Sequence, residues 1–143
     1  MSAATLKMTK SPTTGTMTAK IDGASALNAT TVFVHYVGNT LGLYGDDNNP
    51  KALLTSVSIE AVKNVKSGTY VLGKDSEFQK AWVRYNGSPY IFNTESATLH
   101  IITNHLIKHS SGTCTITASA FNDPNHRITV EVDFDLNGGT GIP

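Results

Sequence analysis

Arg127-Ile128-Thr129-Val130-Glu131-Val132-Asp133-Phe134-Asp135-Leu136 alternates without a break between polar and apolar side chains. Ile128, Val130, Val132, Phe134 and Leu136 would line one face, and Arg127, Thr129, Glu131, Asp133 and Asp135 the other. A period of two belongs to a strand covered on one side and wet on the other, the habit of antiparallel sheets rather than of βαβ folds. The stretch identifies an architecture and names no chemistry.

Neighbouring segments repeat the pattern. Residues 113–121 set Cys114, Ile116, Ala118 and Ala120 against Thr113, Thr115, Thr117 and Ser119, and five turn-type residues, 122–126, join the two runs. Residues 53–62 set Val57, Ile59 and Ala61 against Ser56, Ser58 and Glu60, with a β-branched content that favours a strand over a helix. Residues 16–21 place Met17, Ala19 and Ile21 on one side, ahead of an Asp22-Gly23 turn. Residues 29–37 are apolar on both parities, Val32, Val34 and Tyr36 against Phe33, His35 and Val37, which predicts a central strand covered on both faces. Gly38-Asn39 signals a two-residue hairpin into a strand at 40–44. Shorter strands are expected at 69–72, 81–85, 90–93 and 97–103, the middle two flanking the turn sequence Asn86-Gly87-Ser88-Pro89.

About nine short strands with Gly, Asn and Pro punctuation predict an all-β, single-domain antiparallel β-sandwich, with a barrel as the alternative. Residues 1–14 read as a flexible polar arm, 15–137 as the sandwich and 138–143 as a Gly-rich tail that should fray.

Composition narrows the partners. A chain of 143 residues can bury roughly 68–70% of its unfolded surface, enough for a core without staples. Eleven basic residues balance eleven acidic ones, so the field expected of a nucleic-acid binder is missing and no nucleic-acid partner is expected. Charged residues make up 15%, against about 25% in ordinary domains, and Thr, Ser, Gly and Asn replace them. That bias is common in exported β proteins and tilts the expected setting toward the cell surface or exterior. No run approaches the ~20 apolar residues of a membrane span. Residues 1–18 hold no apolar core of a secretory signal, which leaves retention in the cell and removal of a leader both open. The single cysteine, Cys114, has no internal disulfide partner and falls on an inward parity, as a small core hydrophobe would.

Three segments carry a family resemblance: Met17-Thr18-Ala19-Lys20-Ile21-Asp22-Gly23, then Ser67-Gly68-Thr69-Tyr70-Val71-Leu72-Gly73, then Ser111-Gly112-Thr113-Cys114-Thr115-Ile116 with the closing amphipathic strand. Their order, from about residue 17 to residue 136, resembles a group of small bacterial β-sandwich domains best known as lipoproteins of Bacteroidetes. The resemblance implies a sandwich and no catalytic residue, since the group has none established. Two departures stand out: the acylated cysteine and its signal are missing, and Cys114 occupies a position where such domains usually carry an aromatic.

Searching the chain for chemistry yields few candidates. Glu131, Asp133 and Asp135 stand about 6.6–7 Å apart along one strand face, a spacing that suits the wider class of glycosidase carboxylate pair. General acid catalysis needs one carboxyl kept protonated by burial, however, and three solvated acids lack that. Asp46, Asp47, Asn48 and Asn49 are oxygen-rich, but an EF-hand-like loop needs a Glu twelve residues from its first ligand and position 57 is Val57. His100, His105 and His109 are the candidate metal ligands: on a helix His105 and His109 would share a face toward Zn²⁺. On strands the same separation becomes about 13 Å, too far for one ion. No nucleophile elbow, H-E-x-x-H, C-x-x-C or P-loop is present, and no cofactor is expected.

Aromatics offer the clearest binding signal. Trp82, Arg84 and Tyr85 precede the 86–89 turn and Tyr90 follows it; these four are the candidate ligand-binding residues. Tyr85 shares a parity with Val83, whereas Trp82 and Arg84 share the other, where a ring can either anchor a core or stack on a sugar or a partner. The expected function is therefore a non-enzymatic binding module for a glycan, peptide or protein. The alternative is an assembly subunit, forming homo-oligomers, whose N-terminal arm with the 16–21 segment adds to a neighbour's sheet edge; a hydrolase using the acidic face comes third.

Overall fold

The computed structural model describes residues 13–87 and 91–142. Among them the elements are β1 (Thr14–Ile21), β2 (Ala24–Asn28), β3 (Thr31–Val37), β4 (Thr40–Asp46), β5 (Leu54–Val62), β6 (Gly68–Val71), β7 (Phe78–Tyr85), β8 (Phe92–Asn104), β9 (His109–Ala120), β10 (Asp123–Asn137) and β11 (Thr140–Gly141). No helix interrupts them, so none is long and apolar enough to cross a membrane.

Two sheets pack face to face. One has six strands in the order β2-β1-β10-β9-β8-β6, the other five in the order β11-β3-β4-β5-β7. The sandwich is therefore the architecture, and no closed barrel forms. Alternation puts Val34, Tyr36, Leu41, Leu43, Val57, Ile59, Ala81 and Val83 of the smaller sheet against Met17, Ala19, Leu99, Ile101, Ile116, Val130, Val132, Phe134 and Leu136 of the larger. Cys114 is fully buried among them, and burial pushes its thiol up to about 12.

Several sequence expectations are corrected. The runs at 90–93 and 97–103 merge into the thirteen-residue β8, whose register shifts between Thr94 and Ser96. β10 begins at Asp123, inside the expected turn, and absorbs the surplus residues as an irregularity before Arg127. The run 29–37 shortens to β3 of the smaller sheet, where only the Val34 and Tyr36 parity is buried rather than both faces. The tail expected to fray instead contributes β11, which pairs parallel with His35 and Tyr36, and the Lys108 ammonium donates to the carbonyls of Gly139 and Gly141. Most of the expected arm, residues 1–12, lies outside the described residues.

Candidate functional site

The outer face of the smaller sheet is built by register. Phe33 pairs with Tyr44, Tyr44 with Ser58, and Ser58 with Trp82, so four residues from four strands stand in one row across the sheet. All four have the parity opposite to the core residues of their strands, which is why the row faces outward. The Phe33, Tyr44 and Trp82 rings are part-buried, as is His35.

The rings pack on one another. Phe33 and Tyr44 stack at 6.1 Å with planes 27° apart, and His35 meets both, at 5.0 Å from Phe33 and edge-on at 5.5 Å from Tyr44. Such pairs add about 0.5–1.5 kcal/mol beyond the area they bury, so the cluster is rigid relative to isolated surface rings. Burial and the nearby Glu60 carboxylate hold the Tyr44 phenol above its ordinary value. At the other end of the row the Arg84 guanidinium sits 5.2 Å over the Trp82 ring, a cation–π geometry. Trp82 and Arg84 also border a cavity of about 270 Å³ with Ile91 and Phe92. Between the aromatic ends, Ser58 is 1% exposed and its hydroxyl has no hydrogen-bond partner among the described residues. A buried hydroxyl without a partner is uncommon and calls for an explanation.

Trp82 and Arg84 share a face, as their parity requires, and it is the outer one. Tyr85 does not join them; it packs against the core and meets the Phe92 ring at 5.5 Å. Tyr90 lies outside the described residues. Phe33, His35, Tyr44 and Ser58 are not among the sequence candidates; the double apolar parity of 32–37 is the signal for Phe33 and His35, and it marks an aromatic outer face rather than a second buried one.

The three histidines are not brought together, and no group of three potential metal ligands occurs among the described residues. His100 Nδ1 is 2.8 Å from the Thr69 hydroxyl. His105 Nε2 lies 2.6 Å from the Val65 carbonyl and its Nδ1 3.3 Å from the Tyr36 hydroxyl. His109 pairs with Asp135 at 2.8 Å. Glu131, Asp133 and Asp135 are exposed on the larger sheet, opposite Lys20, Thr18 and Thr16 of β1. Asp47 is buried, and its two carboxylate oxygens accept the Asn28 and Asn49 amides, so it staples loops together. The segment proposed for strand addition is already in use, since β1 pairs with β10 on one side and β2 on the other.

No family model matches the chain, and no curated protein or solved structure is significantly similar to it. The functional reading rests on the site's own geometry.

Proposed function

We propose that the protein is a non-enzymatic binding module whose ligand lies on the outer face of the five-stranded sheet. The observation that carries this is the row of Phe33, Tyr44, Ser58 and Trp82, three aromatic rings and one unpartnered hydroxyl aligned across four strands. Part-buried aromatic clusters on an outer sheet face leave apolar area at the surface, and they suit ligands with flat apolar faces and polar edges. A cell-surface or extracellular setting, which the composition favours, accords with that role.

Trp82 is the chain's one tryptophan, so tryptophan-selective fluorescence reports on that end of the row. Arrayed glycans and peptides are screened with the purified protein, and hits are titrated by fluorescence. Trp82→Ala and Tyr44→Ala should each weaken a genuine hit at least tenfold while the protein still melts cooperatively. Hits that bind both variants as tightly as the parent would place the ligand elsewhere and overturn the proposal.

A further inference from the structure

Away from the ring face, we infer that one end of the sandwich docks on an anionic lipid bilayer, with the tip of the β8–β9 hairpin entering the headgroup layer. Residues 105–108 form that tip, and Leu106 and Ile107 at its apex are 97% and 66% exposed. The fold holds them there firmly. His105 Nε2 bonds to the Val65 carbonyl and its Nδ1 to the Tyr36 hydroxyl, while the Lys108 ammonium donates to the carbonyls of Gly139 and Gly141. Along the tip's backbone, the Lys108 amide donates to the His105 carbonyl and the Leu106 amide to the Asn104 side chain. The Lys108 carbonyl in turn accepts from the Gly138 amide. Those backbone groups keep their partners when water leaves, as entry beside acyl chains requires. The β3–β11 ladder brings Val37 and Ile142, both exposed, to the same end. Four exposed aliphatic side chains gathered at one end are a patch, not the scattered singles of an ordinary surface.

Charge selects the occupant. The segment after β5 lies at this end, since the Lys63 amide donates to Asn39 in the β3–β4 turn and the Val65 carbonyl meets His105. Lys63, Lys66 and Lys108 therefore accompany the apolar tip. The carboxylates near them are Glu77, whose own carbonyl accepts the Val62 amide, and Asp135, which is bonded to His109. The opposite end collects Asp22, Asp46, Asp47, Glu95 and Asp123 against Lys51, Arg84 and Arg127. The chain's zero net charge thus hides a basic end and an acidic one. Near an anionic surface that polarity turns the Leu106 end toward the lipid. Aliphatic side chains then enter while the lysine ammoniums stay at the phosphates, as in interfacial amphipathic segments. A second copy fits less well. The cavity at its acidic end, about 180 Å³, is lined mainly by Ser25, Asn28, Asp47, Asn49 and Lys51, which is no socket for Leu106. A bilayer yields around the tip and needs no socket.

The test is flotation of the purified protein with vesicles of phosphatidylcholine, alone or with about 30% phosphatidylserine. The parent should bind the anionic vesicles at least tenfold more tightly, and more weakly as salt rises from about 0.1 to 0.5 M. Leu106→Ser combined with Ile107→Ser should lower that affinity at least tenfold at unchanged Tm, because both side chains lie outside the core. Lys63→Ala combined with Lys66→Ala should lower it at least fivefold and flatten the salt dependence. Leu106→Trp should shift its emission to the blue on the anionic vesicles, whereas the parent's Trp82, away from the tip, should not respond. Trp82→Ala should float like the parent, which keeps this result separate from that of the ring face. Absence of flotation, equal binding to both vesicle types, or full binding by the serine pair would overturn the proposal. So would self-association in the absence of lipid that the serine pair abolishes, which would assign the tip to a second copy.

Discussion

Gly42 and Tyr44 share the outer face of β4, and the tyrosine ring lies back over the glycine: a Cβ at position 42 would stand 2.6 Å from two of the ring carbons. The absent side chain lets the ring lie along the sheet with a face outward. Gly42→Ala should lift that ring. Overpacking of about 1–3 kcal/mol would be partly offset by the gain of about 0.5–1 kcal/mol for removing a strand glycine. The phenol, held high by burial and by Glu60, should then ionise at lower pH, which ultraviolet difference titration against Tyr44→Phe reads directly. Binding should weaken in step. An unchanged titration would mean that the ring does not rest on Gly42.

Gly112, which pairs with Ile101 across the β8–β9 ladder, has φ +149°, and a Cβ there would collide with the His100 carbonyl oxygen, with that carbonyl's carbon 3.0 Å away. Only glycine allows this backbone approach. Gly112→Ala should lower stability by about 3 kcal/mol or abolish folding, since strain and a lost ladder contact act together. Its exposed neighbour Thr113 provides the control, because Thr113→Ala should stay within about 0.5 kcal/mol by urea unfolding. A mild effect at position 112 would contradict the β8 and β9 register.

Cys114 should make the fold sensitive to alkali. Burial raises its thiol from 9.0 to about 12, so the folded state keeps the proton while the unfolded chain releases it above pH 9. The unfolded state therefore gains as pH rises, and stability should fall by about 1–2 kcal/mol between pH 8 and pH 10. Buried Tyr36 and part-buried Tyr44, whose phenols are also raised, push the same way from about pH 10 upward. Cys114→Ala should flatten the slope between pH 8 and 10. Denaturant unfolding at the two pH values decides it, and an equal slope in the variant would refute the assignment.

His105 ties the β8 and β9 hairpin to the rest of the sandwich. Because a carbonyl only accepts, Nε2 carries the hydrogen toward Val65, and Nδ1 of the neutral ring accepts from the Tyr36 hydroxyl. Both nitrogens are thus engaged in structure. His105→Ala should lower stability by about 1–3 kcal/mol, and equimolar Zn²⁺ should leave the Tm of the parent unchanged. A zinc-dependent rise in Tm, lost in His105→Ala, would restore the metal reading of the histidines.

Alternation along the chain determined which residues face the core. The parities of residues 128–136, 114–120 and 57–61 all hold, and Trp82 and Arg84 do share a face, because a strand's period of two is a local property of the backbone; that this face is the outer one was left open by parity. Strand neighbours are not local. That residues 33, 44, 58 and 82 stand in one row follows from sheet order and register, which pairings between distant segments decide. The same dependence explains why 32–37 misled: two apolar parities look alike whether the second meets another layer or presents a face of rings to a ligand, and only the packing of the two sheets shows which side was left open.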